Sequence, residues 1–327
     1  MKPHIHIISP ALANANNGNW QTAHRWAGML GGRYRVTLAS SQDETPPAHT
    51  PNLLIALHAR RSAATLAHFK QDYPDLPTIL GLTGTDLYGE IRTDRTARHS
   101  LQIADRLVVL QEAGVRELDP SLQAKTSVIY QSAPALKAIP ATEKFQRRHI
   151  DVCMIGHLRA EKDPATFMRA AQLLTRDDIR CIHIGGALDA ALAEQASQTQ
   201  RDCPRYRWIG NLPHAATRQR LKKSHLMVIA SQMEGGANVI IEALTSGVPV
   251  IASDISGNRG MLGDDYVGYF PQGDSAALAR LIERAADDRN FYLQLQQQCD
   301  ARAPFFSPAR EKTTLLDLMD NTLHPNR

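Results

Sequence analysis

The chain alternates short apolar runs with longer segments whose apolar residues recur at helical spacing. Residues 5–9, 35–39, 53–57, 78–82 and 106–110 are runs of strand length. Between them, 21–30, 62–71 and 95–104 repeat apolar residues every three or four positions, the period of a helix with one buried face. Strands that are apolar throughout are buried on both faces, and strands separated by helices predict a parallel sheet covered on both sides. A second series follows at 151–155, 180–184, 207–209, 226–230 and 248–252. The stretch 130–142 is rich in Pro and Ala and has no period, so it reads as a linker between two halves. The expected fold class is α/β, with two doubly wound parallel sheets. In such sheets ligands bind outside the carboxyl ends of the strands, so the loops after the strands are where chemistry is expected.

The most informative loop follows the run 226–230. Ser231-Gln-Met-Glu-Gly-Gly-Ala-Asn reads as a strand end and a tight turn, made without side chains at Gly235 and Gly236. Asn238 is expected to cap a helix through Val239, Ile240, Ala243 and Leu244 that stops at Gly247. Backbone N–H groups and the helix dipole favour an anion there. Glu234 and Glu242 bracket the turn with seven residues between them. Carboxylates accept hydrogen bonds from hydroxyls. The expected ligand therefore has phosphate in its middle and a polyol at each end, as a sugar nucleotide has.

Glu234-x7-Glu242, with Ala243-Leu244-x-x-Gly247-x-Pro249-Val250-Ile251-Ala252-Ser253 behind it, resembles the pattern of retaining family 4 glycosyltransferases. The resemblance implies a GT-B fold: two Rossmann-like domains facing a cleft, with a C-terminal helix crossing back. The implied boundaries are 1–140 for acceptor binding, 150–303 for nucleotide-sugar binding and 304–327 for the returning helix. By the same resemblance Glu242 holds the ribose, Glu234 lies by the donor sugar, and amides of Gly235, Gly236, Ala237 and Asn238 hold the diphosphate. The family usually has Gly-Phe-Gly where this chain has Gly235-Gly236-Ala237. Gly156-His157-Leu158-Arg159-Ala160-Glu161-Lys162 is similar to the family's strand-end motif, whose Arg and Lys neutralise the donor diphosphate. Lys162 matches, whereas His157 stands where the family has Arg. An ordinary histidine is mostly neutral at pH 7, so more of the charge falls to Lys162, with Arg159 nearby. A cation beside the leaving diphosphate stabilises charge that develops in the transition state. Gly210-Asn211-Leu212-Pro213 resembles the base-contacting loop, which puts Leu212 at the donor; Arg207 or Trp208 is expected close by. Gly257, Asn258 and Arg259 are expected near the donor too. The implied catalytic residues are Lys162, His157 and Glu234.

Three loops of the first half are candidates for the second substrate. Asn16-Asn17-Gly18-Asn19 is polar and suited to close approach, or is a surface turn. In Leu57-His58-Ala59-Arg60-Arg61-Ser62, two arginines oppose a helix dipole. That placement suits an anion held by His58, Arg60 and Arg61, the alternative being solvated arginines. Thr83-Gly84-Thr85-Asp86 puts hydroxyls and one acid at a strand end, where Asp86 orients a base, binds a hydroxyl or caps a turn. Asp86 is not part of a DxD pair, so no metal is implied.

These loops, together with Thr22-Ala23, Arg25-Trp26, Glu161-Lys162-Asp163-Pro164 and Met233-Glu234-Gly235-Gly236-Ala237-Asn238-Val239, resemble a narrow subgroup, the SenB-type selenosugar synthases of selenoneine biosynthesis. His157 and the Gly235-Gly236-Ala237-Asn238 variant belong to that subgroup pattern. It implies transfer of a sugar from a UDP-sugar, UDP-N-acetylglucosamine in the first instance, to selenophosphate. A carbon–selenium bond forms, UDP is released and phosphate is lost. It implies no cofactor, and pathway partners that supply selenophosphate and consume the selenosugar. Gly18, Asn19, His58, Arg60, Arg61, Thr83, Thr85 and Asp86 would hold the acceptor. A selenium nucleophile is already ionised, which agrees with the absence of an obvious His/Asp base pair. A transferase with a hydroxyl or thiol acceptor, a UDP-sugar epimerase and a two-domain binding protein remain the rival readings.

Length and charge narrow this little further. The 327 residues suit two domains, and 21% charged with 43% hydrophobic residues is a globular composition. A net charge of +4 without a basic, aromatic-interleaved run gives no sign of nucleic-acid binding. The first apolar run is too short for a membrane span or a signal peptide, so a cytoplasmic chain without membrane association is expected. Cys153, Cys181, Cys203 and Cys299 form no CxxC pair, so neither a metal site nor a disulfide framework is expected.

Overall fold

The computed structural model describes residues 2–10, 18–41 and 49–324. They form two α/β units, one comprising Met1–Ser132 with Pro308–Arg327, the other Ala133–Ser307. The first contains β1 (His4–Ser9), α1 (Gly18–Leu30), β2 (Arg35–Ser40), β3 (Leu53–Leu57), α2 (Ala63–Asp72), β4 (Thr78–Gly81), α3 (Arg95–Ile103), β5 (Arg106–Val109) and β6 (Thr126–Val128). Its sheet runs β2-β1-β3-β4-β5-β6 with every neighbour parallel. Every residue of β1, β3 and β4 is buried, which is why β3 is apolar throughout, while β1 buries two histidines, His4 and His6, beside its isoleucines. One face packs Trp26, Leu30, Ile5, Ile7 and Ile55 with Leu315, Leu318 and Met319 of the final helix, Pro308–Leu323. The other packs Leu54, Leu80 and Leu107 with Leu66 and Leu101.

The second unit contains β7 (Ile150–Ile155), α4 (Pro164–Leu173), β8 (Ile179–Ile184), α5 (Ala190–Asp202), β9 (Tyr206–Trp208), α6 (His214–Lys223), β10 (Leu226–Ile229) and α7 (Asn238–Leu244). Then follow β11 (Val250–Ser253), α8 (Ser256–Leu262), β12 (Tyr269–Phe270), α9 (Ser275–Asp287) and α10 (Arg289–Arg302). Its sheet runs β12-β11-β10-β7-β8-β9, again all parallel. The strand order reverses between β7 and β10, and in the first unit between β1 and β3. These are the switch points where the loops part and leave a crevice.

Several local expectations are corrected. Asn238 is the first residue of α7 and not its cap; Ala237 holds the cap position, with no side-chain bond to the helix. The helix ends at Leu244, and Gly247, with φ 65°, makes the turn into β11. Gly18 and Asn19 open α1 and are not loop, while Asn16 and Asn17 lie outside the described residues. The stretch read as a linker, 130–142, contains the boundary between the units at Ser132, and its part beyond that boundary is bonded to the second unit. The Ala133 N–H donates to the Phe306 carbonyl and the Leu136 N–H to Thr245. All four cysteines are buried and free. No helix among the described residues is long and apolar enough to cross a membrane.

Candidate active site

At the switch point of the second unit, β7 is followed by Gly156 and β10 leads out to Ser231. The β7 loop makes one turn of 3-10 helix, Ala160–Lys162, and then Asp163 in the left-handed region at φ 43°. Asp tolerates that conformation better than most residues. Its side chain is tied down, accepting from the Thr166 hydroxyl at 2.6 Å at the start of α4. This turn folds the Lys162 stem back over Gly156, whose missing Cβ would lie 3.5 Å from Lys162 Cγ. Lys162 Nζ donates to Glu234 Oε1 at 2.5 Å, and Ser231 Oγ donates to the same oxygen at 2.6 Å. The Gln232 N–H donates to the Glu161 carbonyl at 2.9 Å, which ties the two loops together by backbone. Lys162 and Glu234 are thus brought together from 72 residues apart and mostly buried, with 19% and 9% of their side chains exposed.

The Gly235–Asn238 turn leads on into α7, with Gly235 and Ala237 buried and Gly236 and Asn238 half-buried. Glu242 lies one turn into the helix, also mostly buried. Its Oε1 accepts from His214 Nε2 at 2.6 Å. His214 begins α6 directly after Leu212-Pro213. No motif marks it in the sequence, and its only cue is that position. Two glycines matter through close approach. A Cβ on Gly257 would stand 1.9 Å from the Glu234 carbonyl oxygen, and one on Gly185 would stand 1.9 Å from that of Gly156. Gly185 carries only the weak signal of a Gly-Gly pair after a strand.

His157 is exposed, and its Nδ1 accepts from the Gly186 N–H at 3.0 Å. The ring proton is thereby placed on Nε2, the outward nitrogen. Desolvation, then Arg159 and Lys162, hold its pKa below the ordinary histidine value, so the ring is a neutral donor at pH 7. Arg159 is itself exposed. Beneath them His183 is wholly buried, with Nε2 on the Gly156 carbonyl at 3.0 Å and Nδ1 on Tyr206 Oη at 2.9 Å. Trp208 Nε1 donates to the Gly185 carbonyl at 2.8 Å, so Trp208 supports the loop after β8. Arg259 pairs with Asp254 and lies over Tyr269. Asn258 is buried, bonding to Ser253, which in turn bonds to the Ser231 carbonyl.

In the first unit, the loop after β3 stands at that sheet's switch point. His58 has φ 75° and is buried; its Nδ1 accepts from the Arg61 N–H at 3.3 Å, which leaves Nε2 to donate to Thr85 Oγ1 at 3.1 Å. His58 and Asp163 are the only non-glycine residues with positive φ among the described residues, and both stand in switch-point loops. Burial keeps the His58 pKa below the ordinary value; Asp86 and Glu90 work against that, and Arg61 and Arg60 with it. Arg60 is paired by Glu90 at 3.0 Å, a carboxylate that nothing in the local sequence points to. Glu90 closes a turn of π-helix, Asp86–Glu90, that carries it back over the arginine loop. Arg61 is exposed and has no ion-pair partner among the described residues. Asp86 is fully buried, with its carboxylate taking the N–H groups of Thr83, Gly84 and Ala59. It therefore shapes the loop and offers no carboxylate oxygen to the surface. Among the described residues no group of three or more His, Cys, Asp or Glu is arranged to hold a metal.

Residues 137–304, just over half of the chain, match the family model described as glycosyl transferases group 1. The chain belongs to this family. Among curated proteins it is similar to an Escherichia coli UDP-Gal:alpha-D-GlcNAc-diphosphoundecaprenol alpha-1,3-galactosyltransferase. The identity is 25% over 198 residues, covering 57% of this chain and 50% of that protein. A D-inositol 3-phosphate glycosyltransferase of Corynebacterium kroppenstedtii is 25% identical over 246 residues, 67% of this chain and 54% of that one. The chain thus spans about half the length of the curated relatives it matches. Its fold is also that of Anabaena HepE, solved with UDP and glucose, at a TM-score of 0.78 and 16% identity over 98% of this chain and 100% of that one. The matched segment of this group 1 glycosyl transferase lies wholly within the second unit, and the fold is of the GT-B kind.

Proposed function

We propose that this chain transfers the sugar of a UDP-sugar, in the first instance UDP-N-acetylglucosamine, to selenophosphate. The observation that carries the donor half is the Lys162–Glu234 pair at the switch point, with Glu242 one helical turn further on. Lys162, with the neutral His157 as a second donor and Arg159 alongside, stabilises charge on the leaving diphosphate. The Gly235–Asn238 turn and Gly156 allow its close approach, and Leu212 faces the base. Glu234 orients the sugar and Glu242 holds the ribose. Selenium attacks the anomeric carbon as its bond to the UDP oxygen breaks. Water then cleaves the Se–P bond, giving inorganic phosphate and the selenol. His58, Arg60, Arg61, Thr83 and Thr85, with Gly18 and Asn19, form the acceptor side. Asp86 sets their backbone. A nucleophile that is already ionised needs no base for its attack. The choice of nucleotide is supported by relatives, one of them a UDP-Gal transferase and another solved with UDP bound.

Glu90 favours a second reading. A carboxylate 3.0 Å from Arg60 and 3.6 Å from His58 Nε2 offsets part of the positive charge and could take a proton from a hydroxyl or thiol acceptor. One experiment separates the two. UDP release from UDP-N-acetylglucosamine is followed with selenophosphate, with simple alcohols and thiols, and with neither, and the sugar product is weighed by mass spectrometry. Selenophosphate-dependent release with a selenium-containing sugar, abolished in Lys162→Ala, supports the first. Release only with a hydroxyl or thiol supports the second. Tight UDP binding without turnover leaves only the donor half standing.

A further inference from the structure

The His214–Glu242 contact runs between two helices. It joins the first residue of α6 to a carboxylate on α7, and the imidazole is largely in solvent, with 69% of its side chain exposed against 12% for Glu242. Pro213 immediately precedes His214, and its fixed φ sets where α6 starts and so where the ring stands. Only Oε1 of Glu242 is engaged. Oε2 has no hydrogen-bond partner among the described residues, and it is not among the buried polar atoms left unsatisfied, so it faces solvent. A carboxylate that must receive a vicinal diol needs both oxygens held in one plane at one angle. A glutamate has three side-chain torsions to fix before it can do so, and ordering them costs entropy at the moment of binding. A partner that fixes the carboxylate in advance removes that cost. An oxygen has more than one lone pair, so Oε1 can keep His214 and still accept one hydroxyl.

We propose that His214 is a positioning residue for the nucleotide, turning the Glu242 carboxylate so that both oxygens meet the vicinal diol of the ribose. This rests on the reading of Glu242 as the ribose-binding carboxylate. The test is calorimetric binding of two probes, UDP and 2′,3′-dideoxyuridine diphosphate, to wild type and to His214→Ala. Wild type should prefer UDP by roughly tenfold or more, the worth of hydrogen bonds to a charged group. In His214→Ala, UDP should bind about tenfold more weakly while the dideoxy probe is unchanged, so the preference collapses. His214→Gln, whose amide reaches the same oxygen, should restore most of it. A merely structural role for His214 would weaken both probes alike. Should His214→Ala lose cooperative unfolding, His214→Phe and His214→Gln carry the same comparison, with preference expected only in the glutamine variant. A preference retained in full without the imidazole would overturn this proposal alone. A wild type that binds both probes equally would overturn the ribose reading of Glu242 and this proposal with it.

Discussion

Single atoms decide much at the donor loops. Gly257 packs so closely that an added methyl would stand 1.9 Å from the Glu234 carbonyl oxygen and 3.1 Å from its Cβ. Backbone cannot yield as a flexible side chain can, so Gly257→Ala should push Glu234 off Lys162. The expected outcome is a loss of about 1–3 kcal/mol in stability from overpacking, together with at least a tenfold loss of UDP affinity. Wild-type affinity in that variant would show that the loop is set elsewhere. Lys144 makes the opposite case. It is wholly buried, its Nζ has no hydrogen-bond partner, and burial, with Arg147 second, pushes its pKa down to about 8. A lysine held at about 8 against an ordinary 10.5 is charged in both states at pH 7, so folding bears the full cost of burying that charge. The unfolded chain keeps its proton between those values while the folded one sheds it, and stability rises across that window. Lys144→Met keeps the stem and removes the charge. It should raise the unfolding free energy at pH 7 by up to about 3 kcal/mol, seen as a higher urea midpoint, and the gap to wild type should mostly close by pH 10. An equal gap at both values would contradict this account.

Elements were legible where burial is complete, and became obscure where it is partial. The runs that form β3 and β10 are apolar because both sheet faces are covered, and the sequence shows that directly. The edge strands β6 and β12 are three and two residues long, with partly exposed residues, so they carry no periodic signal. Glu234, Glu242 and Lys162 stood out through spacing and resemblance. His214 and Glu90 did not, because each meets its partner across elements and neither lies in a local pattern. His183 shows how an element can hide a titrating group. In β8 it reads as one polar interruption, yet it is buried between Tyr206 and the Gly156 carbonyl, and desolvation pushes its pKa down to about 4. Unfolded, it takes a proton below about pH 6.5; folded, it refuses one until about pH 4. The unfolded state therefore binds more protons in that window, and stability falls as pH drops through it, by about 3 kcal/mol at the lower end. His183→Gln should flatten that slope in urea titrations between pH 7 and pH 4, though other groups such as His6, also lowered to about 4, will leave a residual slope. An unchanged slope would place the acid sensitivity elsewhere.

At the scale of the molecule, the first unit is completed by the end of the chain. The polypeptide leaves that unit at Ser132 and returns to it at Pro308. The helix Pro308–Leu323 then covers one face of the first sheet with Leu315, Leu318 and Met319. Its register is set by Glu311, whose side chain is fully buried and accepts from Arg25 Nε at 2.8 Å, Trp26 Nε1 at 2.9 Å and Ser132 Oγ at 2.5 Å. Asp320 adds an outer clasp to Arg33 and Tyr34. Part of the pattern that carries the subgroup resemblance, Thr22-Ala23 with Arg25-Trp26, is thus architectural. Thr22 meets Gln131 and the Arg25-Trp26 pair grips Glu311. This has an energetic consequence. Removing one partner of a buried ion pair leaves the other uncompensated, at about 3–5 kcal/mol, and here it also strands an indole N–H and a hydroxyl. Glu311→Ala should therefore lower stability by about that amount. Glu311→Gln, which still accepts from Trp26 and Ser132 but loses the charge opposite Arg25, should cost roughly half as much. Thermal and urea unfolding of the three proteins would check the order. Glu311→Ala as stable as wild type would mean that the apolar face of the final helix holds it in place without the buried carboxylate.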